Sequence, residues 1–226
     1  MNKFTMAAAS LLLVLSGVNF NVYAKTVEVK KETKNLILDI KYPQGFNKPV
    51  DQTIKKLVDS AQKKAVNDSV VDDLPADVPG KNGLYINFQQ QFQNQHALSL
   101  QFDISYNARG AAHPNNTIKT LNFIDGKEVG LDQLFKPNSG YLAKLAEISR
   151  NKFLENKDFD PKWVTEGTEP KIENYKNWYF SQSGLVIVFD TYQVAAYVYG
   201  PQTVTVPYAV LKDMLQERVS NLVWGN

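Results

Sequence analysis

Two spacings of apolar residues alternate along the chain, and each predicts a different element. In "KNLILDIKYP" the residues Leu36, Leu38, Ile40 and Tyr42 recur at period two, which predicts a strand that Pro43 ends. In "NKPVDQTIKKLVDSAQKKAVND" the period changes. Val50, Ile54, Leu57, Val58, Ala61 and Ala65 fall on one helical face, with lysines and aspartates opposite and Pro49 at the start. "DDLPADVPGKNG" breaks both periods and reads as a loop or as a subdomain seam near 72–83.

Period two returns in Leu84 to Gln93 and most clearly in Ala97 to Asn107. There Leu98, Leu100, Phe102, Ile104 and Tyr106 alternate with Ser99, Gln101, Asp103 and Ser105. The expectation is one packed face and one wet face. The short link between these strands implies an antiparallel hairpin. Further on, "TIKTLNFIDGKEVGLDQLF" reads as strand, Asp125-Gly126 turn, short strand and helical turn, because Asp-Gly accepts the positive φ of a tight hairpin.

Tyr141 to Asn156 is periodic at helical spacing, and Asp158 to Asn174 is polar and irregular. Strands follow at Trp178 to Phe180, Leu185 to Phe189, and around Val204 and Val206. "AVLKDMLQERVSNLV" then predicts one closing amphipathic helix with Val210, Leu211, Met214, Leu215, Val219 and Leu222 inward. Runs of neighbouring strands with helices between them argue for an α+β fold, mainly antiparallel sheet with amphipathic helices packed on it.

Composition changes this picture little. The chain has 226 residues, 43% hydrophobic and 21% charged, with a net charge of +2. That is ordinary for a globular protein and supplies no footprint for nucleic acid. Zero cysteines exclude disulfides, thiolate nucleophiles and thiolate metal sites. Residues 1–24 change it more. Lys3, the apolar run Met6 to Val18 and then Val22-Tyr23-Ala24 form the pattern of a secretory signal peptide. The run is shorter than the roughly 20 residues that span a bilayer. The expected product is a periplasmic or secreted module, 25–226, with no transmembrane segment after signal removal.

Candidate chemistry is sparse. His96 and His113 are the only histidines, 17 positions apart, without a partner at metal-ligand spacing, so neither metal nor cofactor is expected. No Gly-x-Ser-x-Gly elbow occurs. Among carboxylates, Asp190, Glu166 and Glu169 are the ones placed to matter, although solvated surface charge is the favoured account of all three. Trp163, Trp178, Tyr179, Tyr192, Tyr197, Tyr199 and Tyr208 crowd the second half, where a β-sheet core accounts for most of them. "YQVAAYVYGPQ", Tyr192 to Gln202, is interrupted by Gly200-Pro201 and should be partly exposed. "ARGAAHPN", Ala108 to Asn115, follows the clearest strand. Gly110 permits a turn there, and Pro114 biases His113 toward extended backbone.

Two segments carry a resemblance. "ARGAAHPNNTIKTLNFIDGKEVGLDQLF" and "FDTYQVAAYVYGPQTVTVPYAVLKDML" resemble the extracytoplasmic module of the RsiV-type anti-sigma factors, which sense lysozyme. They are similar as well to the N-terminal module of the PdaC-type peptidoglycan deacetylases. The module is a domain of unknown function, and the likeness runs from about Leu36 to Leu222. Ala111 and Ala196 stand where relatives often have glycine and proline. The resemblance implies an α+β fold and a cell-envelope setting. The chain shows a signal segment in place of a sigma-binding segment, and it ends at Asn226, where the deacetylases continue into a catalytic domain. The expectation is therefore a non-catalytic binding module. Its ligand would be a lysozyme-like protein or peptidoglycan, held by loops carrying Arg109, His113, Asn115, Tyr192, Tyr197 and Tyr199. The alternative is a small envelope hydrolase or deacetylase that uses His113 with a carboxylate.

Overall fold

A computed structural model describes residues 24–70, 74–75 and 77–225. The expected signal segment thus lies outside the described residues except for Ala24, and so do residues 72, 73 and 76 of the 72–83 stretch.

The first strand, β1 (Lys25–Glu32), pairs antiparallel with β2 (Leu36–Gln44). β2 runs past Pro43, which pairs with Thr26, so that proline does not end the strand as its type predicts. A long helix, α1 (Lys48–Val70), carries the chain to β3 (Asn82–Gln93), which lies parallel to β2. β4 (Ala97–Asn107), β5 (Asn115–Ile124) and β6 (Lys127–Glu128) follow, each antiparallel to its predecessor. The result is a six-stranded, mostly antiparallel sheet in the order β1-β2-β3-β4-β5-β6.

α1 begins where Asn47 accepts the Val50 amide through its side-chain oxygen, at 3.1 Å. It buries Val50, Ile54, Val58, Ala61 and Ala65 against Leu38, Ile40, Leu84, Ile86, Leu98, Leu100 and Phe102 on one face of the sheet. Each buried Val, Ile, Leu or Phe among these contributes about 1.5–3 kcal/mol relative to exposure.

The remaining elements pack on the opposite face. They are α2 (Tyr141–Leu154), α3 (Pro161–Gly167), β7 (Asn177–Ser181), β8 (Gly184–Phe189), β9 (Gln202–Pro207), α4 (Tyr208–Leu211) and α5 (Glu217–Trp224). β7, β8 and β9 form a second antiparallel sheet in that order. Its core face, with Phe180, Leu185, Ile187, Phe189, Val204 and Val206, packs with α2, α3 and α5 and reaches Ala97 and Ile124 of the large sheet.

Three local expectations differ from what folds. The polar stretch after Asp158 contains α3, because the Asp160 carboxylate accepts the Lys162 and Trp163 amides and Pro161 opens the first turn. The closing helix is broken after Leu211. There Leu215 bridges to Phe135, while Met214 and Leu134 supply carbonyls to Lys136 and Gln216, so tertiary hydrogen bonds replace helical ones. Val210 is accordingly exposed.

The wet face of β4 is wet only in part. Ser99 is 0% exposed because β7 lies across it. β7 would otherwise have a free edge, and side chains of the large sheet satisfy that edge. The Trp178 amide donates to Thr120 Oγ1 at 3.0 Å, Asn122 Nδ2 donates to the Trp178 carbonyl at 2.7 Å, and the Phe180 amide donates to Ser99 Oγ at 3.0 Å. Ser99 Oγ in turn donates to Asn122 Oδ1 at 2.7 Å.

One buried group on the core side has a pH consequence. The Tyr175 ring is fully buried and its hydroxyl donates to the Thr168 carbonyl at 2.9 Å. Burial pushes its ionisation well above the ordinary tyrosine range, with the Arg150 charge pulling slightly the other way. Above about pH 10 the unfolded chain releases this proton while the folded chain keeps it, so stability falls as pH rises. Tyr175→Phe should remove that alkaline loss. It should cost about 1 kcal/mol at neutral pH from the deleted hydrogen bond. Urea midpoints at pH 7 and 11 check both; an equal alkaline loss in the variant would contradict the assignment.

Candidate functional site

Four rings meet on the surface where the β4–β5 connection faces the segment between β8 and β9. The turn after β4 is possible because Gly110 takes φ of 75°, a conformation costly for residues with a Cβ. It presents His113 at the start of β5, and the imidazole stacks on Tyr197 with centroids 4.1 Å apart and planes 28° apart. The His113 Nδ1 lies 3.0 Å from the Pro114 carbonyl, which can only accept, so that nitrogen carries the hydrogen. Nε2 is left as an acceptor. The Tyr197 hydroxyl also donates to the Pro114 carbonyl, at 3.1 Å, and accepts from Asn116 Nδ2 at 3.0 Å.

Tyr192 continues the row, 5.5 Å from Tyr197, and Trp163 stacks on its other side with planes 9° apart. Trp163 Nε1 donates to the Tyr192 carbonyl at 2.7 Å. Tyr192 itself holds φ of 68°, a left-handed conformation that is costly for a bulky residue and persists only when surroundings enforce it. The enforcement is visible. Asp190 accepts from Thr117 Oγ1 at 2.7 Å and from the Ile118 amide at 3.1 Å, fastening the segment to the edge of β5. Gln193 Nε2 donates to the Gly167 and Asn174 carbonyls, fastening it to α3.

Of the residues expected to form a site, His113, Tyr192 and Tyr197 come together. Tyr199 is a neighbour that packs edge-on against Phe159, with centroids 5.0 Å apart. Arg109 and Asn115 lie elsewhere. The Arg109 guanidinium donates to the Val78 and Leu74 carbonyls. Asn115 pairs with Tyr106 and lines a pocket of about 190 Å³ over the α1 end of the large sheet. Trp163 and Asn116 complete the row. The sequence carried no signal for Asn116, and Trp163 was one aromatic among many.

The carboxylates have other duties. Asp190 is a fastener, and Glu169 pairs with Lys171 at 2.5 Å on the surface. Glu166 lies 3.9 Å from Lys162, also on the surface. The histidine that does meet a carboxylate is His96, whose Nδ1 is 2.9 Å from Asp125 Oδ1. Arg218 Nη2 occupies the other oxygen of Asp125 at 2.7 Å, and the Asp125 amide donates to the His96 carbonyl. That cluster ties two hairpin turns to α5. Among the described residues no group of three or more His, Asp or Glu is arranged to hold a metal ion, and no helix is long and apolar enough to cross a membrane. A pocket of about 530 Å³ opens on the core side of β7, rimmed by Glu128, Asp132 and Glu173, away from the ring row.

A mixed α+β fold with a mostly antiparallel six-stranded sheet is thus the class that this geometry defines. Residues 132–209 match a family described as a protein of unknown function, DUF3298. The same fold occurs in crystal structures of two DUF3298 proteins. One, from Bacteroides fragilis, has a TM-score of 0.62 at 13% identity over 90% of this chain and 98% of that one. The other, from Pseudomonas aeruginosa, has a TM-score of 0.64 at 10% identity with the same coverage. In sequence the chain is 28% identical over 183 residues to the peptidoglycan-N-acetylmuramic acid deacetylase PdaC of Bacillus subtilis. That alignment takes in 79% of this chain and 39% of the relative's length.

Proposed function

We propose that this protein is a non-catalytic binding module of the bacterial cell envelope, periplasmic or secreted, and that its ligand is peptidoglycan. The observation that carries the reading is the row Trp163–Tyr192–Tyr197–His113. These rings are fixed by hydrogen bonds and by a left-handed backbone, and Tyr192 remains 49% exposed. Rigid aromatic surface of this kind binds at low entropic cost. Similarity over most of the chain to a peptidoglycan-modifying enzyme supports the choice of ligand.

The hydrolase or deacetylase alternative loses its footing at His113. Its Nδ1 is committed to a backbone carbonyl and its ring to Tyr197, with no carboxylate bonded to either nitrogen. That reading called for His113 to work with a carboxylate, and among the described residues none is bonded to its ring. A lysozyme-like protein is the second ligand to weigh, because Val198 is 83% exposed and adjoins the exposed Tyr199 in the chain, apolar surface suited to a protein partner.

Co-sedimentation with purified sacculi, run beside a pull-down on lysozyme, tests the reading. Tyr197→Ala removes the ring at the centre of the row and should weaken sedimentation roughly 30-fold, a central hot-spot loss of about 2 kcal/mol. Val198→Asp should leave sedimentation unchanged while abolishing any lysozyme capture. Wild-type protein that remains in the supernatant would end the peptidoglycan assignment.

A further inference from the structure

The outer face of the large sheet, beside the ring row, does not look like an ordinary solvated surface. By register its outward positions form cross-strand ladders: Glu28–Lys41, Lys30–Asp39, Asn87–Asp103–Ile118, Tyr85–Ser105–Asn116 and Gln89–Gln101–Thr120. Paired opposite charges are confined to β1 and β2, where Glu28 faces Lys41 and Lys30 faces Asp39. From β3 to β5 the same face carries amides, hydroxyls and one carboxylate, Asp103. Opposite charges on paired strands are how a sheet normally stays soluble, so a run of amides is a different solution.

The tyrosine on this face lies flat. A Cβ on Gly83 would meet Tyr85 Cε2 at 2.7 Å, so the ring rests over the glycine backbone and turns its other side outward. Tyr85 is 36% exposed.

A wall stands beside this floor. β7 crosses β5 at Thr120 and β4 at Ser99, with Trp178 and Phe180 turned toward the core at the Ala97 and Ile124 end of the sheet. Strand alternation therefore turns Asn177 and Tyr179 toward the Gln101, Asp103 and Ile118 end. Val186 and Val188, paired with Tyr179 and Asn177, are buried on that side, as is Ile118. Asn177 is 2% exposed, and its Nδ2 has no hydrogen-bond partner. A buried amide donor without a partner is costly, by about 1–3 kcal/mol, and calls for an explanation. At its far end the floor reaches Asn116, which holds the Tyr197 hydroxyl.

We infer that this corner is a binding groove for the sugar backbone of peptidoglycan, running from Tyr85 along the amide floor and past Tyr179 to the Tyr197–His113 rings. The inference rests on the cell-wall reading above and names the part of the ligand and its path. Sugar hydroxyls and acetamido groups both donate and accept, as the floor amides do, and the C–H face of a pyranose packs on a flat tyrosine ring. The floor offers no cation, so an anionic polymer finds nothing to pair with.

Calorimetric titration of the protein with an N-acetylglucosamine hexamer, and with soluble muropeptide-bearing glycan, tests the path. Tyr85→Ala is expected to weaken both about tenfold, the equivalent of about 1.4 kcal/mol. Tyr85→Phe should bind as the wild type does, because stacking is kept. Gln101→Ala should weaken both by several-fold. Lys30→Ala, on the charged part of the same face, should change nothing. Thermal melts of each variant exclude unfolding as the cause, and these positions are on the surface. If Tyr197→Ala weakens binding while Tyr85→Ala and Gln101→Ala do not, the groove is wrong and the cell-wall reading survives. If the wild type binds neither probe nor sacculi, both are wrong.

Discussion

Asn122→Ala is expected to lower the melting temperature by roughly 5–15 °C, the largest effect of any single polar truncation on the outer face of the sheet. The side chain is 3% exposed and makes two bonds, accepting from Ser99 Oγ and donating to the Trp178 carbonyl, both at 2.7 Å. Its loss leaves the Ser99 O–H donor, whose oxygen still accepts from the Phe180 amide, and the Trp178 carbonyl without those partners, and each costs about 1–3 kcal/mol. For a domain of this size 1 kcal/mol corresponds to roughly 2–4 °C. Asn122→Leu is the informative companion. It restores volume but no hydrogen bond, so it should rescue little. Calorimetric melts of the two variants check this. A melt within a degree of wild type would show that water replaces the lost bonds and that the two sheets are not pinned there.

Gly167→Ala should be about as damaging to stability and more damaging to binding. A methyl group at this position would lie 2.0 Å from the Gln193 carbonyl oxygen and 2.9 Å from Val194 Cγ1. Neither the backbone of the 190–199 segment nor the end of α3 can yield without breaking the Gln193 bonds to the Gly167 and Asn174 carbonyls. Overpacking of this severity costs about 3 kcal/mol or more. The displaced segment carries Tyr192 and Tyr197, while Trp163 on α3 donates to the Tyr192 carbonyl. The ring row should therefore come apart even at temperatures where the variant stays folded. The readout is a lowered melt together with lost sedimentation at 25 °C. Full binding by a destabilised variant would mean that the row does not need its spacing.

The elements that the sequence made legible are those whose burial is periodic. Val50, Ile54, Val58 and Ala61 specify α1 because one helical face alone meets the sheet, and Leu98 to Ile104 specify β4 because alternate residues meet that helix. Where burial comes from two sides, the pattern misleads. Ser99 reads as a wet residue and is fully buried, since a perpendicular strand covers it. The stretch from Ala209 to Val223 reads as one helix, yet it breaks because Phe135 and Leu134 offer Leu215 and Gln216 better partners than the next helical turn does. The bulge at Gln90–Phe92 moves Phe92 to the second core, where it packs against Phe180. A two-residue period cannot announce such a shift.

The candidate site was half legible. His113, Tyr192 and Tyr197 stand out by type and by the Gly, Pro and Asp residues around them, and these three converge. Arg109 stood out equally and binds the Leu74 and Val78 carbonyls, because a guanidinium takes whichever carbonyls lie within reach. By itself the sequence determined the α+β class, the amphipathic helix, the long hairpin and the presence of aromatics on a Gly-Pro-broken segment, all local consequences of side-chain period and backbone preference. Only the tertiary structure decided which histidine meets a carboxylate, that β7 lies across β4 and β5, and that Trp163 and Asn116 complete the ring row. Those facts depend on contacts between residues 29 to 81 positions apart. No local pattern encodes such contacts, because each partner is chosen by what the rest of the chain has already buried.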